Sequence, residues 1–188
     1  LVCKKVRDKM EKIIIDADRF LRTISRISHE IIEKHQDFNN VILVGIKRRG
    51  AEIAELIQRR IEELKGVVLP MMELDITFYR DDLEYVEPEN PTPVYSGASS
   101  YMNIQGKEVI LIDDVLFTGR TIRAAMDALT DFGRASKIEL VILVDRGHRE
   151  LPIRADYVGK NVPTSRDEQV QVRTLKLDGC YGVALLAK

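Results

Sequence analysis

The chain has 188 residues, of which 45% are hydrophobic and 31% charged, and its formal net charge is −1 at pH 7. These values predict a single globular domain over residues 1–188 and exclude both a disordered chain and a polycation that coats nucleic acid. The apolar runs are too short to span a bilayer, and the first residues lack the apolar stretch of a secretion signal, so we expect a cytoplasmic protein with no membrane partner.

Helices and strands alternate along the first half of the chain. Apolar residues recur at helical spacing over residues 17–36 and predict an amphipathic helix. The apolar run 41–46 predicts a buried strand, and a second amphipathic helix opens at Gly50. Apolar and polar residues alternate over 72–78, which predicts a strand with one solvated face. The polar, proline-containing segment 81–105 predicts a long loop, and loops of that length are usually functional.

The same alternation continues in the second half. A strand over 108–112 is followed by a helix over 120–132, and a second buried strand covers 138–144. Two short strands are expected near 170–175 and 181–186. Because buried strands alternate with helices, the pattern predicts an α/β fold with a mostly parallel, twisted sheet flanked by helices.

Two acids and a helix mouth follow the strand at 108–112. Ligands of open α/β sheets bind beyond the carboxyl ends of strands, where Asp113 and Asp114 stand. The next helix opens with Thr118, Gly119 and Thr121 in a segment whose free N–H groups and helix dipole favour a phosphate. The acids would repel that phosphate unless they bind sugar hydroxyls or a phosphate-associated cation. A solvated Asp-Asp turn before an ordinary helix cap is the alternative.

Residues 109–121 resemble the signature of the type I phosphoribosyltransferase family: four apolar residues, two acids, then Thr-Gly-x-Thr. The resemblance implies that fold, with a flexible lid loop, a small hood, and binding of phosphoribosyl pyrophosphate (PRPP). It implies that the two acids are catalytic and hold the ribose hydroxyls, while the loop binds the 5′-phosphate. The implied ribose-phosphate site comprises Asp113, Asp114, Val115, Leu116, Phe117, Thr118, Gly119, Arg120 and Thr121. Mg²⁺ is implied as a cofactor carried by PRPP, with no direct protein ligand.

A basic segment follows the strand at 41–46. Lys47, Arg48 and Arg49 precede Gly50 at the mouth of the second helix. Three adjacent cations suit a polyphosphate, which arginine can grip with two hydrogen bonds. A solvated basic turn is the alternative. By the resemblance, these four residues form the pyrophosphate loop.

Two further segments, 75–83 and 144–165, resemble one branch of that family, the bifunctional pyrimidine-operon regulators that are also uracil phosphoribosyltransferases. This implies the reaction of uracil with PRPP to give UMP and pyrophosphate. It also implies that Arg80 begins the lid and is catalytic, and that Arg146 and Val170 border the uracil pocket. The chain departs from the usual pattern at Arg48, where threonine is common, and at Phe117, where tyrosine is common.

The first predicted helix carries a basic stripe. Arg19, Arg22, Arg26 and His29 lie on one face, opposite the apolar face, and such a stripe suits a phosphate backbone. Ordinary solvated helix charge is the alternative. The resemblance implies that the protein binds pyrimidine-operon leader mRNA, promoted by UMP or UTP. The implied RNA-binding residues are Ser25, Arg26, His29, His148, Arg149, Arg154 and Lys160.

Three functional hypotheses follow. The first is an enzyme that makes UMP and also binds leader RNA, and we expect it to form a homodimer or a higher homo-oligomer. The second is an enzyme alone, acting on hypoxanthine or guanine without RNA binding. The third is a regulator that uses the old active site only to sense nucleotides. His35 is expected to be a surface residue with no special role.

Overall fold

The computed structural model describes residues 11–79 and 102–187. In chain order its elements are β1 (Glu11–Ile15), α1 (Ala17–Lys34), β2 (Val41–Ile46), α2 (Arg49–Lys65), β3 (Met71–Leu74), β4 (Glu108–Leu116), α3 (Arg120–Leu129), β5 (Lys137–Asp145), β6 (Tyr157–Asn161), β7 (Gln169–Arg173), α4 (Leu175–Asp178) and β8 (Gly182–Leu186). Short 3₁₀ turns follow β3 at Thr77–Tyr79 and α3 at Thr130–Phe132.

The main sheet has five strands in the order β3-β2-β4-β5-β6, and all its pairings are parallel. Side chains of β2 alternate between two cores: Val41 and Leu43 pack with α1 and α2, whereas Ile42 and Val44 pack with α3. Both faces are therefore covered, which explains why the strands read as continuous apolar runs. The α/β fold predicted from the sequence is confirmed.

A second sheet supplies the hood. It is antiparallel, with the order β1-β8-β7. Val172 of β7 and Val183 of β8 join the core beneath α1 and α2, so the hood packs on the same body as the main sheet. None of the helices in the described ranges is long and apolar enough to cross a membrane.

Several element boundaries differ from the predicted ones. The strand predicted over 72–78 ends at Leu74, because the Asp75 carboxylate accepts hydrogen bonds from the N–H and hydroxyl of Thr77 and turns the chain. The strand predicted to stop at residue 112 continues to Leu116, paired with Asp145 of β5. Strands β1 and β6 and helix α4 were not predicted.

The predicted lid over 81–105 lies outside the described residues except for its last four. Within that remainder Ile104 is buried, and its N–H donates to the Phe132 carbonyl at 3.0 Å. Arg80 also lies outside the described residues.

The expectation for His35 was wrong, because this residue is buried. Its Nε2 lies 2.8 Å from Oε2 of Glu139, which is also buried and accepts a hydrogen bond from the Tyr157 hydroxyl at 2.7 Å. Lys34 Nζ and Lys137 Nζ form ion pairs with the same carboxylate. The network ties the end of α1 to β5 and β6.

Candidate functional site

A cavity of about 400 Å³ opens at the carboxyl ends of β2, β3 and β4. Its lining joins three parts of the chain: the basic segment 47–49, the acid pair Asp113 and Asp114, and Thr121 at the first turn of α3. Asp75 and Thr77, just beyond β3, complete the rim. The segments that the sequence pattern assigned to one ligand therefore lie around one cavity.

Two glycines allow these segments to meet. A Cβ atom on Gly50 would lie 2.5 Å from the Ile112 carbonyl oxygen and 3.1 Å from the Asp113 Cα. A Cβ atom on Gly45 would lie 2.5 Å from the Ala51 Cα. Because backbone is the obstacle in each case, only glycine lets the start of α2 rest on the ends of β2 and β4.

The acid pair is held by backbone N–H groups of its own strand, β4. The N–H of Asp114 donates to Asp113 Oδ1 at 2.9 Å, and the N–H of Val115 donates to Asp114 Oδ1 at 2.9 Å. Burial raises the pKa of the Asp114 carboxyl, while the nearby Arg49 guanidinium opposes that shift. Both carboxylates line the cavity, and carboxylate oxygens can accept hydrogen bonds from sugar hydroxyls.

The three residues of the basic segment 47–49 have different surroundings. Lys47 Nζ lies 3.7 Å from Asp75 Oδ2, and the peptide bond between Lys47 and Arg48 is cis. The Arg48 side chain is exposed. Arg49 forms a bidentate ion pair with Asp178 of α4. Hydrogen bonds from Thr77 hold the pKa of Asp75 below its ordinary value despite burial, and the nearby Lys47 charge adds to this effect.

A tight, glycine-containing turn joins β4 to α3. Gly119 caps α3 with a φ of 97°, a left-handed conformation that suits glycine. The Thr118 hydroxyl accepts a hydrogen bond from the Arg120 N–H, and the Arg120 side chain pairs with Glu150 at 3.0 Å. We call residues 115–121 the phosphate loop, after the role that the sequence pattern predicts for them.

Basic side chains that follow β5 contact this phosphate loop. The Arg146 guanidinium stacks over the Phe117 ring at 4.1 Å, and His148 approaches the same ring edge-on at 6.0 Å. Arg149 donates to the Phe117 carbonyl at 2.9 Å and pairs with the Asp145 carboxylate. These three side chains therefore contact the loop that follows the acid pair.

The residues predicted to border a nucleobase lie outside the lining of this cavity. Arg146 is buried and donates to the Thr164 hydroxyl and to the carbonyls of Ser165 and Glu168. Burial lowers the pKa of Arg146 below its ordinary value. Val170 is also buried, within the core that joins β7 to the main sheet. Arg146 contacts the phosphate loop through the ring of Phe117, on which its guanidinium stacks.

A second cavity, of about 270 Å³, lies between α1 and the edge strand β6. It is lined by Arg19, Arg22, Arg26 and Lys160, with Thr23 and Gly159. A Cβ atom on Gly159 would lie 2.8 Å from the Thr23 methyl group, so the close packing of helix on strand requires this glycine. We call this feature the basic groove.

The residues predicted to bind RNA fall into separate groups. Arg26 lines the basic groove and donates to the Gly159 carbonyl at 2.6 Å, while Lys160 lies exposed beside it. The Ser25 hydroxyl accepts a hydrogen bond from Arg60, and the Ser25 carbonyl lies 2.7 Å from His29 Nδ1. Arg154 is exposed. His148 and Arg149 form the other group, against the phosphate loop.

Sequence reasoning missed three residues that shape the site. Asp178 lies far along the chain from Arg49, and no local pattern connects them. Asp75 was assigned to the solvated face of a strand, although Asp-x-Thr is a turn signal that could have been recognised. Gly45 sits inside an apolar run, where an isolated glycine can mark a close backbone approach.

Comparison with known families gives one assignment for most of the chain. Residues 11–178 match the phosphoribosyl transferase domain family. The matched region contains all five strands of the main sheet, both cavities and Asp178.

Curated relatives are similar over nearly the full length. "Bifunctional protein PyrR" of Haemophilus influenzae is 80% identical over 179 residues, covering 95% of this chain and 100% of the relative. The protein of the same name from Mannheimia succiniciproducens is 76% identical over the same shares. The one from Haemophilus ducreyi is 71% identical, over 94% of this chain and 97% of the relative.

Solved structures share the fold at low identity. A hypoxanthine phosphoribosyltransferase from Staphylococcus aureus has a TM-score of 0.66 and 22% identity, over 94% of this chain and 92% of that one. The hypoxanthine phosphoribosyltransferase from Trypanosoma cruzi, in complex with IMP, has a TM-score of 0.69 and 15% identity, over 98% and 94%. At such identities the likeness establishes the fold alone.

Proposed function

The chain belongs to the phosphoribosyl transferase family, and we propose that it converts uracil and PRPP to UMP and pyrophosphate and also regulates a pyrimidine operon by binding its leader mRNA. The relatives named as bifunctional PyrR proteins support both activities at up to 80% identity. One structural observation carries the enzymatic part: the basic segment 47–49, the acid pair and the first turn of α3 line a single cavity.

The acid pair would act on the ribose. As the bond between C1′ and the pyrophosphate oxygen breaks, the ribose ring develops positive charge. Asp113 and Asp114 would accept hydrogen bonds from the ribose hydroxyls, and ionised carboxylates would stabilise that charge. The phosphate loop, fixed by Gly119 and Thr118, would hold the 5′-phosphate, so that the sugar is anchored at both ends.

The basic segment would stabilise the leaving pyrophosphate. Lys47, Arg48 and Arg49 bring three positive charges to the cavity, whose only lining carboxylates among the described residues are Asp75, Asp113 and Asp114. No cluster of three or more metal-ligating side chains occurs within ranges 11–79 and 102–187. Mg²⁺ that arrives on PRPP would supply additional charge neutralisation. Arg80 and the 81–105 lid would exclude water from the activated sugar.

The RNA part of the proposal rests on the basic groove and its surroundings. Arg19, Arg22, Arg26 and Lys160 place four cations around one groove, in a protein whose net charge is only −1. Such a local concentration of cations suits the phosphate backbone of a hairpin. Ser25, His29 and Arg154 would extend this surface, and UMP or UTP in the active site would promote binding. An operon transcript as target implies a cytoplasmic protein.

Contacts after β5 offer a route between the two activities. His148 and Arg149, implied as RNA-binding residues, both contact Phe117 of the phosphate loop. A nucleotide phosphate that orders this loop would therefore bias the position of both side chains. We propose that the protein acts as one domain and as a homodimer or a higher homo-oligomer.

The decisive experiment measures product formation from PRPP and Mg²⁺ with uracil, hypoxanthine or guanine. Uracil turnover alone supports the proposal. Purine turnover instead would favour an enzyme-only purine phosphoribosyltransferase, and no turnover of any base would favour a nucleotide sensor.

The RNA part is tested by titrating binding of a leader hairpin against salt, with and without UMP. A steep salt dependence and a gain with UMP are expected. Absence of binding with UMP present would contradict the RNA part and leave the enzymatic part standing.

A further inference from the structure

A carboxylate from the hood holds one of the cavity arginines. Asp178 ends α4, the short helix between β7 and β8. Its Oδ1 accepts a hydrogen bond from Nη2 of Arg49 at 3.1 Å, and its Oδ2 accepts one from Nε at 3.3 Å. The Arg49 and Asp178 side chains are only 32% and 20% exposed. A bidentate pair of this kind fixes the plane of the guanidinium as well as its position.

Asp178 is itself held in place. Its Oδ2 accepts a third hydrogen bond, from the Thr174 N–H at 3.0 Å. Helix α4 itself is attached to α2, because the Lys176 N–H donates to Glu52 Oε2 at 3.1 Å and Lys176 Nζ pairs with Glu55. The carboxylate is therefore a fixed reference point for Arg49 and not a mobile surface charge.

The ion pair leaves part of Arg49 available. Asp178 occupies Nε and Nη2, which form one edge of the guanidinium. Within the described part of the chain, Nη1 makes no hydrogen bond to protein, although the side chain lines the cavity. Because a guanidinium carries five N–H donors in a rigid plane, fixing one edge also fixes the direction of the other.

We propose that Asp178 is a positioning residue for the pyrophosphate group: it holds one edge of Arg49 so that the other edge meets the phosphate oxygens. This inference rests on the proposed function, and it adds a residue from the hood to the pyrophosphate-binding apparatus. Asp178 acts through Arg49 and touches no reacting atom. A purely structural role would be to balance the Arg49 charge at the N-terminus of α2, where a cation is unfavourable.

Kinetics of Asp178→Asn separate these roles, because asparagine retains the shape but loses the charge and one acceptor oxygen. We expect the KM for PRPP to rise by about tenfold, the effect of losing one charge-assisted hydrogen bond, with kcat and the uracil KM little changed. Inhibition by pyrophosphate should weaken by a similar factor. Asp178→Glu should recover part of the affinity.

The matched control is Glu55→Gln, which removes another tie between α4 and α2 without touching Arg49. It should leave the KM for PRPP unchanged. An equal rise in both variants, or unchanged constants in Asp178→Asn, would overturn the proposal.

Calorimetry of magnesium pyrophosphate binding tests the positioning role of Asp178 directly, without any nucleobase substrate. Weaker binding by Asp178→Asn than by the unsubstituted protein supports the positioning role even if uracil is not turned over. Equal binding by the two proteins overturns it even if uracil is turned over. Circular dichroism at the assay temperature verifies that each variant is folded. If Asp178→Asn does not fold, Asp178→Glu is compared with the unsubstituted protein in its place.

Discussion

Arg149 donates a hydrogen bond from Nη1 to the carbonyl of Phe117 at 2.9 Å, which ties the segment after β5 to the phosphate loop. The same nitrogen lies 3.2 Å from the Gly147 carbonyl, and Nε donates to Ile153 at 3.0 Å. Nη2 pairs with the Asp145 carboxylate. A side chain that the family resemblance implies in RNA binding thus also holds the phosphate loop in place.

Arg149→Ala should weaken RNA binding while UMP synthesis persists at moderate temperature. Because the change leaves Asp145 and several carbonyls without their donor, unfolding free energy should fall by about 2 kcal/mol. Urea unfolding measures that loss. Arg149→Lys separates the effect of the positive charge from that of the guanidinium hydrogen bonds. If the charge alone binds RNA, the lysine variant should bind RNA as the wild type does. If the hydrogen bonds that hold the phosphate loop are needed, the lysine variant should bind RNA as weakly as Arg149→Ala does. Unchanged RNA binding by folded Arg149→Ala would contradict the RNA-binding role, and loss of both activities would mean that Arg149 acts mainly by holding the phosphate loop.

Asp114→Asn should lower turnover at least about tenfold, because an amide cannot supply the charge that stabilises the ribose transition state. Burial raises the pKa of Asp114, so the folded protein holds this proton more tightly than the unfolded chain does. Wild-type stability therefore falls as pH rises from the ordinary aspartate pKa to the raised value. Asp114→Asn should gain stability relative to the wild type across that window. Unchanged turnover would count against the ribose role.

Gly50→Ala should damage both stability and PRPP binding, because the new methyl group would meet the Ile112 carbonyl at 2.5 Å. Unfolding free energy should fall by about 1–3 kcal/mol, and the KM for PRPP should rise as α2 moves away from the acid pair. Gly66→Ala is the control: its Cβ meets nothing within 4 Å, and only its φ of 68° is unfavourable. That variant should lose about 1 kcal/mol without a change in KM.

Lys160→Ala should weaken hairpin binding and leave UMP synthesis unchanged, because Lys160 lines the basic groove and not the cavity at the carboxyl ends of β2, β3 and β4. If it contacts one phosphate, the slope of log K against log salt should become shallower by about one unit. Filter binding at several salt concentrations measures the slope. An unchanged slope would mean that the RNA does not contact the basic groove at Lys160. The control is Lys137→Ala, which also removes one positive charge but lies outside the groove.

Glu139→Gln should destabilise the protein by about 2 kcal/mol near neutral pH, because Lys34 and Lys137 lose their buried counter-charge and the hydrogen bonds from Tyr157 and His35 to this side chain weaken. Burial alone would raise the pKa of Glu139, but hydrogen bonds from Lys137, Lys34, Tyr157 and His35 outweigh it and hold the pKa below its ordinary value. A depressed carboxyl pKa contributes stability above the ordinary value, and that stability is lost as pH falls through the folded value.

The difference between wild type and Glu139→Gln should therefore shrink in acid. Urea unfolding at several pH values below the ordinary glutamate pKa measures it. Glu63→Gln, which breaks an exposed pair with Arg60, should show little effect at any pH. A difference that stays constant into strong acid would mean that the Glu139 charge does not stabilise the fold.

Local sequence patterns predicted the helices and strands in which apolar residues recur with a clear period. Helix α1 and strands β2 and β5 have continuous or helical apolar spacing. The structure confirms all three: the bounds of β2 are as predicted, and those of α1 and β5 differ by at most two residues. Strand β6 was missed because Tyr157–Asn161 is an edge strand with exposed polar positions, which weakens its apolar signal. Helix α4 is only four residues long and gives no period at all.

The sequence alone determined the fold class and the chemical composition of the site, because strand ends, paired acids and a glycine-led helix start are local features. The tertiary structure decided which distant groups meet: Asp178 with Arg49, Arg149 with Phe117, and His35 with Glu139. Each of these contacts joins segments separated by tens of residues. Such pairings depend on how helices pack and strands order in the sheet, and no short-range pattern of residue types specifies them.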